Sequence, residues 1–357
     1  MRRHLHLNSL FNIGLEKMSN RFTILFAVYF VAVFFPFETI KCQDPHFSQF
    51  YSSPLTLNPA MTGQFSGETR LAMTYRNQWS AVSTPFTTAT VACDFQLLND
   101  KIGNDIFGIG FVGMIDQSNN QGLKANFLSI STAYNKSLDI EGFHKIGVGF
   151  QASLATKKVD FSRFTFSHQF TPSGFTGGYN GEDLPGFSLN YLDVAAGFLY
   201  SGMNYAQSHW YIGGSYYHLN KPNESLGGIE NRLKPRLSVH GGLNFPFADK
   251  NRVYFSALYM NSMITNEILV GTVFESFFSG IEYETSVYSG VFYRPGDAII
   301  PYIGIGSNKF QLGLSYDINI SSLKTATQSR GGFEVALQTN LSRDPERNKI
   351  PKCSFKF

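Results

Sequence analysis

The sequence contains few charged residues and few cysteines. Lys, Arg, Asp and Glu make up 15% of the 357 residues, whereas soluble domains average about 25%. The three cysteines, Cys42, Cys93 and Cys353, are too few for a disulfide framework and lack the spacing of a metal site. A net charge of only +3 gives no basic face for a nucleic-acid partner. Aromatic residues (15%) and 33 glycines are abundant instead, which suits an all-β wall with one face toward an apolar medium.

An apolar run lies near the N-terminus. Residues 22–37, FTILFAVYFVAVFFPF, are uncharged and proline-broken, so they fit the apolar core of a secretory signal better than a membrane helix. Met18 precedes this unit, so we interpret residues 1–42 as an upstream extension plus a cleavable signal peptide, cut after Cys42. Two alternatives stay open. One is a lipoprotein site at TIKC, which Lys41 disfavours because such sites need a small residue there, and the other is a retained anchor.

Apolar and polar residues alternate with a period of two over much of the remaining chain. The block KFQLGLSYDINI, from Lys309, places Phe, Leu, Leu, Tyr, Ile and Ile on one face and Lys, Gln, Gly, Ser, Asp and Asn on the other. RLAMTYRNQW, ATVACDFQL, IGVGFQASLA and FEVALQTNL alternate in the same way. The pattern predicts strands with one apolar and one polar face.

About fourteen such segments occur, although blocks such as WYIGGSYYHL alternate poorly. An even number of strands of about ten residues, after a secretory signal, predicts an all-β fold: a transmembrane antiparallel β-barrel of the outer membrane over residues 68–341. The sheet must close, because an open edge would leave unpaired amides in lipid. A soluble β-sandwich is the alternative, but its single core would be unusually large. The segments begin near Thr69, Thr88, Ile106, Leu123, Lys145, Tyr191, Trp210, Leu233, Val253, Glu267, Ser286, Ile299, Lys309 and Gly332.

Connection lengths favour the barrel. The long predicted connections, at about 158–190, 220–232 and 321–331, all follow odd-numbered strands, while the others, such as NDKIGND and DIEGFH, are short. Long loops outside and short turns inside are typical of outer-membrane barrels. A soluble sandwich has no reason to sort its loops in this way. We therefore expect residues 342–357, after the last strand, to form a periplasmic tail.

Charged residues occur on the polar faces at the two ends of the sheet. Closure places these strands side by side, so we predict that the charges face the lumen and pair across the closure seam. The alternative is that water solvates them singly, in which case each contributes little. A lipid-facing charge would cost about 2–4 kcal/mol at the bilayer midplane. The residues are Arg70, Arg76, Asp94, Lys309, Asp317 and Glu334.

The segment QDPHFSQFYSSPLTLNPAMTG, residues 43–63, is apolar but interrupted by three prolines. Proline fixes φ and removes a donor, which excludes a long helix or a central strand. A fourteen-strand barrel is too wide for its wall side chains to fill. We therefore predict that residues 43–67 form a plug or hatch, and a partner-binding periplasmic arm is the alternative. The residues assigned to the plug are Phe47, Phe50, Tyr51, Pro54, Leu57, Asn58, Pro59 and Met61.

Six blocks spread over the chain carry a family resemblance. They are residues 43–63, YRNQW, YHLNKPNESL, FYRPGDAIIPYIG, QLGLSYDINISSLKTATQSRGGFEVAL and the terminal KCSFKF. Together they resemble the PorP/SprF family of outer-membrane proteins of the type IX secretion system and gliding motility machinery. The tail departs from the family's usual Cys-Pro-basic-Phe ending, because Ser354 follows Cys353 here.

The resemblance implies a non-enzymatic barrel without a cofactor, integral to the outer membrane after signal-peptide cleavage. Members of the family are needed for export or surface attachment of proteins with a C-terminal sorting domain, often large adhesins. Such secretion substrates are the implied partners of one branch. The other branch is tied to periplasmic ring or peptidoglycan-linked components. We favour the substrate-specific branch.

Topology places candidate partner-binding residues in two outer loops. Ordinary turn chemistry explains the same residues equally well. The alternative functions are an outer-membrane channel or transporter for small or hydrophobic solutes, and a hydrolase. The hydrolase is disfavoured because no nucleophile elbow accompanies His218 and Ser225, and no catalytic, cofactor-binding or metal site is predicted. The loop residues are Asn220, Lys221, Pro222, Asn223, Glu224, Ser225, Ser321, Ser322 and Leu323.

Overall fold

The computed structural model is a closed β-barrel, and the residues that it describes include almost no helix. It describes residues 44–342 except 83, 99–100, 119, 173, 176–185, 226–229, 248–250, 263–264, 280–283 and 308. The wall strands are β1 (Thr69–Gln78), β2 (Phe86–Leu97), β3 (Ile106–Ser118), β4 (Leu123–Ser137), β5 (Lys145–Val159), β8 (Phe187–Met203), β9 (His209–Tyr217), β10 (Arg236–Phe247), β11 (Asn251–Ser262), β12 (Thr265–Ser279), β13 (Glu284–Arg294), β14 (Ala298–Gly306), β15 (Phe310–Asn319) and β16 (Arg330–Leu341). A small hairpin between β5 and β8 consists of β6 (Phe170–Thr171) and β7 (Gly174–Phe175).

Helical structure in the described residues consists of single turns. The 3-10 turns are Phe50–Ser52, Pro59–Met61, Phe161–Arg163 and Ser167–Gln169, and the α-helical turns are Pro54–Leu57 and Lys324–Thr327. Among these residues no helix has the length and apolarity to cross a membrane.

Each wall strand pairs antiparallel with its neighbour in the chain, with β5 next to β8 and β1 next to β16. The closure seam is fully in register, from Thr69 opposite Leu341 to Gln78 opposite Gly332. The prediction of an antiparallel barrel of about fourteen strands is therefore confirmed.

The alternation seen in the sequence separates the two faces of the wall. In β1, Met73 and Tyr75 are exposed on the outer face, while Arg70, Thr74 and Arg76 are buried on the inner face. The same division recurs around the barrel. Large exposed apolar residues of the outer face include Val91, Phe111, Leu128, Phe150, Ile212 and Ile303. An apolar outer band is what lipid requires of a barrel.

Two strands begin several residues away from their predicted positions. β8 begins at Phe187 rather than near Tyr191, because its first residues pair with the end of β5. β10 begins at Arg236 rather than near Leu233, because Pro235 directly before it has no N–H for the ladder.

The three longest connections lie at one end of the barrel. They follow β5, β9 and β15 and span residues 160–186, 218–235 and 320–329. We call this the long-loop end, and it is also the end at which β1 finishes. In outer-membrane barrels the long loops face the outside. The opposite, short-loop end holds the turns 138–144 and 204–208. The predicted tail lies almost wholly outside the described residues, which end at Ser342, and the predicted leader 1–42 lies wholly outside them.

Candidate functional site

Residues 44–66, here called the N-terminal segment, lie in the lumen. The segment forms hydrogen bonds to β16 on one side and to β9 on the opposite side of the barrel. It contains three short helical turns, and proline starts two of them, because the first position of a helical turn needs no N–H. The residues assigned to the plug are all buried, namely Phe47, Phe50, Tyr51, Pro54, Leu57, Asn58, Pro59 and Met61.

Near the long-loop end, the wall binds the backbone of the segment through charged side chains. The N–H of Ser48 donates to Glu334 Oε2 at 2.8 Å, and the N–H of Gln49 donates to Glu334 Oε1 at 2.7 Å. Arg76 Nη1 donates to the carbonyl oxygen of His46 at 2.7 Å. Arg76 Nε lies 3.9 Å from Glu334 Oε2. These groups fix the path of the main chain whatever side chains it carries.

Further charged residues extend this cluster across the lumen. Asp317 Oδ2 accepts from Arg76 at 3.0 Å and from Arg294 at 3.1 Å. Asp317 Oδ1 accepts from the hydroxyl of Ser48 at 3.0 Å. Arg294 Nε also lies 3.3 Å from Glu267 Oε1. Buried charges of both signs therefore surround the segment at this level, as low-dielectric surroundings require.

A second charged group lies at the level where the segment leaves the lumen. Arg70 and Asp94 are directly opposite each other on β1 and β2 and form a two-point ion pair at 2.9 and 2.8 Å. Asp94 also accepts from the N–H of Gly63 at 2.7 Å, and Arg70 donates to the carbonyl of Met61 at 3.0 Å. Gln96 Nε2 donates to the carbonyl of Gly63 at 2.8 Å. Wall and segment are thus joined at both levels.

Between these two levels, Asn58 anchors the segment. Its Nδ2 donates to the carbonyl of Phe198 at 2.9 Å and lies 3.0 Å from His240 Nε2. The hydroxyl of Ser215 donates to the carbonyl of Leu57 at 2.6 Å. Asn58 and His240 are fully buried, so their pairing offsets the cost of placing polar groups inside the barrel.

Inward-facing glycines make room for the segment. A methyl group on Gly108 would lie 2.5 Å from the carbonyl oxygen of Thr62. One on Gly149 would also lie 2.5 Å from the backbone of Pro59. By contrast, a methyl group on the outward-facing Gly113 would contact nothing within 4 Å. Glycine is therefore needed where the backbone of the segment touches the wall.

The opposite side of the segment is aromatic and packs on a wall of large residues. The Tyr51 ring stacks on Phe292 with centroids 5.7 Å apart and meets Tyr302 edge-on at 6.1 Å. Leu269 and Ile300 are fully buried in the same cluster. The lumen is thus filled by an apolar core on one side and by close backbone contact on the other.

The segment begins, at Asp44, in a charged cluster at the long-loop end. Asp44 Oδ2 lies 3.0 Å from His218 Nε2 and 3.3 Å from Arg236 Nη1. His218 Nδ1 lies 3.0 Å from Asp193 Oδ1. Burial lowers the pKa of His218, but its hydrogen bonds to Asp193 and Asp44 outweigh burial and raise the pKa to about 9. The pKa of Asp44 is lowered: burial raises it, but the positive charges of Arg236 and His218 outweigh that effect.

A small cavity of about 20 Å³ adjoins this cluster and is lined by Asp44, His46, Arg236, Met260, Ser262, Thr265 and Glu267. Its volume suits about one water molecule. Among the described residues, no three His, Cys, Asp or Glu side chains are grouped to hold a metal ion.

The first candidate outer loop uses most of its polar groups within the chain. Asn220 Nδ2 and Oδ1 bind the backbone of Leu192 and Val194 in β8. Glu224 pairs with Lys157. The other candidate residues of this loop differ in exposure. Lys221 and Asn223 are exposed, and Asn223 forms an isolated β-bridge with Arg232. Pro222 is buried and Ser225 is half-buried.

The second candidate loop is more open. The N–H of Ser321 donates to the carbonyl of Asp297 at 3.2 Å, Ser322 is exposed and Leu323 is half-buried. Lys324 and Thr325, in the helical turn that follows, are exposed.

A family model describing the type IX secretion system membrane protein PorP/SprF matches residues 39–338. The chain belongs to the PorP/SprF family. The family resemblance predicted from the sequence is therefore confirmed. This PorP/SprF protein is an outer-membrane β-barrel of the type IX secretion machinery. No curated protein matches the chain significantly.

Three solved structures are similar to this PorP/SprF protein at low sequence identity. A Pseudomonas aeruginosa FadL homologue is 11% identical, with 79% of this chain and 92% of the homologue covered and a TM-score of 0.45. The Ralstonia pickettii toluene transporter TbuX is 11% identical, with 84% and 95% covered and a TM-score of 0.48. BamA from Haemophilus ducreyi lacking POTRA domains 1–3 is 11% identical, with 77% and 70% covered and a TM-score of 0.39.

Several lumen residues of this PorP/SprF protein were not singled out by sequence reasoning. Asp193, Glu267 and Arg294 lie on the buried inner face of the wall, and an alternation count in β8, β12 and β13 was the available signal. Asp44 lies in the N-terminal segment, where no strand alternation could identify it. Conversely, the prediction that Lys309 faces the lumen was wrong, because Lys309 is exposed in the turn before β15.

Proposed function

We propose that this protein holds an exported, adhesin-type protein at the cell surface during type IX secretion. In this proposal the N-terminal segment is a plug, and the partner binds the long-loop end rather than passing through the lumen. The observation that carries the proposal is the filled lumen: the wall binds the backbone of residues 44–66 from opposite sides. A passenger moving through the barrel would first have to displace all of these contacts.

The contacts of the plug favour a permanent position. Glu334 and Asp94 each accept backbone N–H groups in buried surroundings, and Arg70 and Arg76 donate to backbone carbonyls. Charge-assisted hydrogen bonds of this kind are about twice as strong as neutral ones. Removing the segment would take the backbone N–H donors of Ser48 and Gln49 from Glu334 and that of Gly63 from Asp94, which is costly for buried acceptors.

The partner in this proposal is a secretion substrate with a C-terminal sorting domain. Components of the periplasmic ring are the second candidate partner, and they would meet the short-loop end. The protein acts by binding and not by catalysis, as membership of a secretion-component family supports.

Affinity purification of the tagged protein from detergent-solubilised outer membranes tests the proposal. Recovery of the C-terminal domain of an exported protein is the expected result, and recovery of ring components alone would favour the apparatus role. A test variant carries three glycines in place of Lys324, Thr325 and Ala326, exposed residues of an outer loop. Reduced recovery with this variant would assign binding to the long-loop end.

Planar bilayer recordings on the same preparation test the plug. The wild-type barrel should not conduct, whereas a variant lacking residues 44–66 should conduct, because its lumen would be too wide for the wall to fill. Steady conduction by a wild-type barrel that is purified alone would favour a solute channel and contradict the proposal.

A further inference from the structure

The outer part of β8 has one paired edge and one open edge. β8 pairs with β5 from Phe187 onward, but its pairing with β9 begins only at Ala196. β9 ends at Tyr217, where the chain enters the loop 218–235. Residues 187–195 are therefore the edge of a sheet at the long-loop end.

Backbone groups of even-numbered residues face this open edge. Val194 fixes the direction, because its N–H donates to Asn220 Oδ1 at 3.1 Å and its carbonyl accepts from the N–H of Leu219 at 3.0 Å. Alternate residues of a strand direct their N–H and C=O groups to the same side. Ser188 and Asn190 therefore present theirs to the open edge. Both residues are exposed, and no described residue bonds to these backbone groups.

The first residues of the loop before β8 bond to the turn between β3 and β4. The N–H of Asp160 donates to the carbonyl of Gly122 at 2.8 Å, and Arg163 Nη1 donates to the carbonyl of Asn120 at 3.0 Å. Both acceptors lie in the turn between β3 and β4. The start of this loop therefore lies on the β5 side of β8, away from β9.

The side chain of Asn220 shows which chemical group the edge accepts. Its Oδ1 accepts from the N–H of Val194, and its Nδ2 donates to the carbonyl of Leu192 at 2.6 Å. A carboxamide has the donor and acceptor of a peptide group. Asn220 thus takes the position of a peptide unit in a continuing strand, and none of the described residues forms a hydrogen bond at the equivalent positions beside Ser188 and Asn190.

We infer that an extended segment of the exported protein pairs with β8 at Ser188 and Asn190 as an added strand. A row of open backbone donors and acceptors selects an extended peptide rather than a helix or a small solute. The edge lies at the long-loop end, where the exported protein is held. This inference rests on the proposed function and deepens it by naming the docking surface and the structural element of the partner.

Two pairs of substitutions separate backbone pairing from side-chain contact. Ser188→Pro with Asn190→Pro removes both N–H groups from the open edge, and proline is tolerated in edge strands. Ser188→Ala with Asn190→Ala keeps the backbone and removes only the side chains. Full-length tagged protein is purified from native outer membranes, and the exported protein recovered per barrel is measured. We expect about a tenfold loss for the proline pair and less than a twofold loss for the alanine pair. Equal recovery for both pairs would overturn the inference.

Photo-crosslinking gives a second measurement that does not depend on how well the proline pair folds. The photoreactive residue p-benzoylphenylalanine replaces Asn190 in otherwise wild-type protein, and cells are irradiated before purification. An adduct with the exported protein supports the inference. An adduct between two barrels, or no adduct while the wild type still recovers the exported protein, overturns it and leaves the proposed function standing. Failure of the wild type to recover any exported protein overturns both.

Discussion

At the residue scale, the wall recognises the backbone of the N-terminal segment rather than its side chains. Glu334 accepts two successive N–H groups, and Asp94 accepts a third. A carboxylate that faces N–H donors in a buried site is more strongly bound than a neutral acceptor. Each such residue therefore determines where the backbone lies, and its loss leaves buried donors unsatisfied.

Glu334→Gln should loosen the segment. The amide replaces one acceptor oxygen by an NH₂ group that opposes the N–H of Ser48 or Gln49, and the charge beside Arg76 is lost. We expect docking of the segment to weaken by about 2–4 kcal/mol, with faster proteolytic cleavage inside residues 44–66. The matched control is Leu337→Ala on the lipid face of the same strand. Equal cleavage rates in the two variants would contradict the assignment.

His218 should make the stability of the long-loop end depend on pH. Its folded pKa of about 9 exceeds the unfolded value of about 6.5. Its contribution is therefore fully present below about pH 6.5 and is lost as pH rises through about 9. Thermal unfolding in detergent should show the wild type losing roughly 1–3 kcal/mol over this range relative to His218→Gln. Parallel pH profiles would show that the contacts of His218 with Asp44 and Asp193 do not stabilise the barrel.

At the scale of secondary-structure elements, glycines on β3, β5 and β8 shape the wall around the segment. Gly149→Ala would place a methyl group 2.5 Å from the backbone of Pro59, and overpacking of this kind costs about 1–3 kcal/mol. We expect the segment to become accessible to protease while the wall keeps its heat-resistant migration on gels. Gly113→Ala makes the same change in open space and should leave the segment protected. Equal protection of the segment from protease in both variants would mean that the wall strands move to make room for the methyl group and that the segment stays in place.

Strands were predictable from the sequence where their two faces differ in polarity. In β1, β2, β5, β15 and β16, the inward residues are mostly small or polar and the outward residues apolar. β9 was harder to recognise, because its inward Tyr211 and Tyr217 are aromatic as well. Both belong to the part of the wall that packs against the segment. The alternation of apolar and polar residues is therefore lost where the inner face of a strand also contacts an apolar surface.

The charged cluster was only partly accessible to sequence reasoning. Arg70 and Asp94 follow from alternation alone, since adjacent strands place them opposite each other. The approach of Glu267 and Arg294 to His46 and Ser48 could not be predicted in this way. It depends on the position of the segment across the lumen, which no pattern along β12 or β13 encodes.

At the scale of the whole molecule, the N-terminal segment has a defined direction. Asp44 lies beside His218 and Arg236 at the long-loop end. The segment ends near Phe65, where Gln96 binds its carbonyl at 2.6 Å before the chain enters β1 at Thr69. The chain thus crosses the lumen toward the short-loop end before the first strand starts. Asp44, the first residue that the structure describes, therefore lies on the long-loop side of the filled lumen.

An epitope inserted between Gln43 and Asp44 should consequently be accessible on intact cells. An epitope inserted after Thr325, in the loop 320–329, should stain in the same way, because both lie at the long-loop end. An epitope after Asp139, in the turn 138–144, should stain only after the outer membrane is permeabilised, because short turns face the periplasm. Heat-resistant gel migration would show that each insertion leaves the barrel folded. Staining of the first epitope only after permeabilisation would mean that the segment enters the barrel from the opposite direction, and the contacts of Asp44 would then have to form elsewhere.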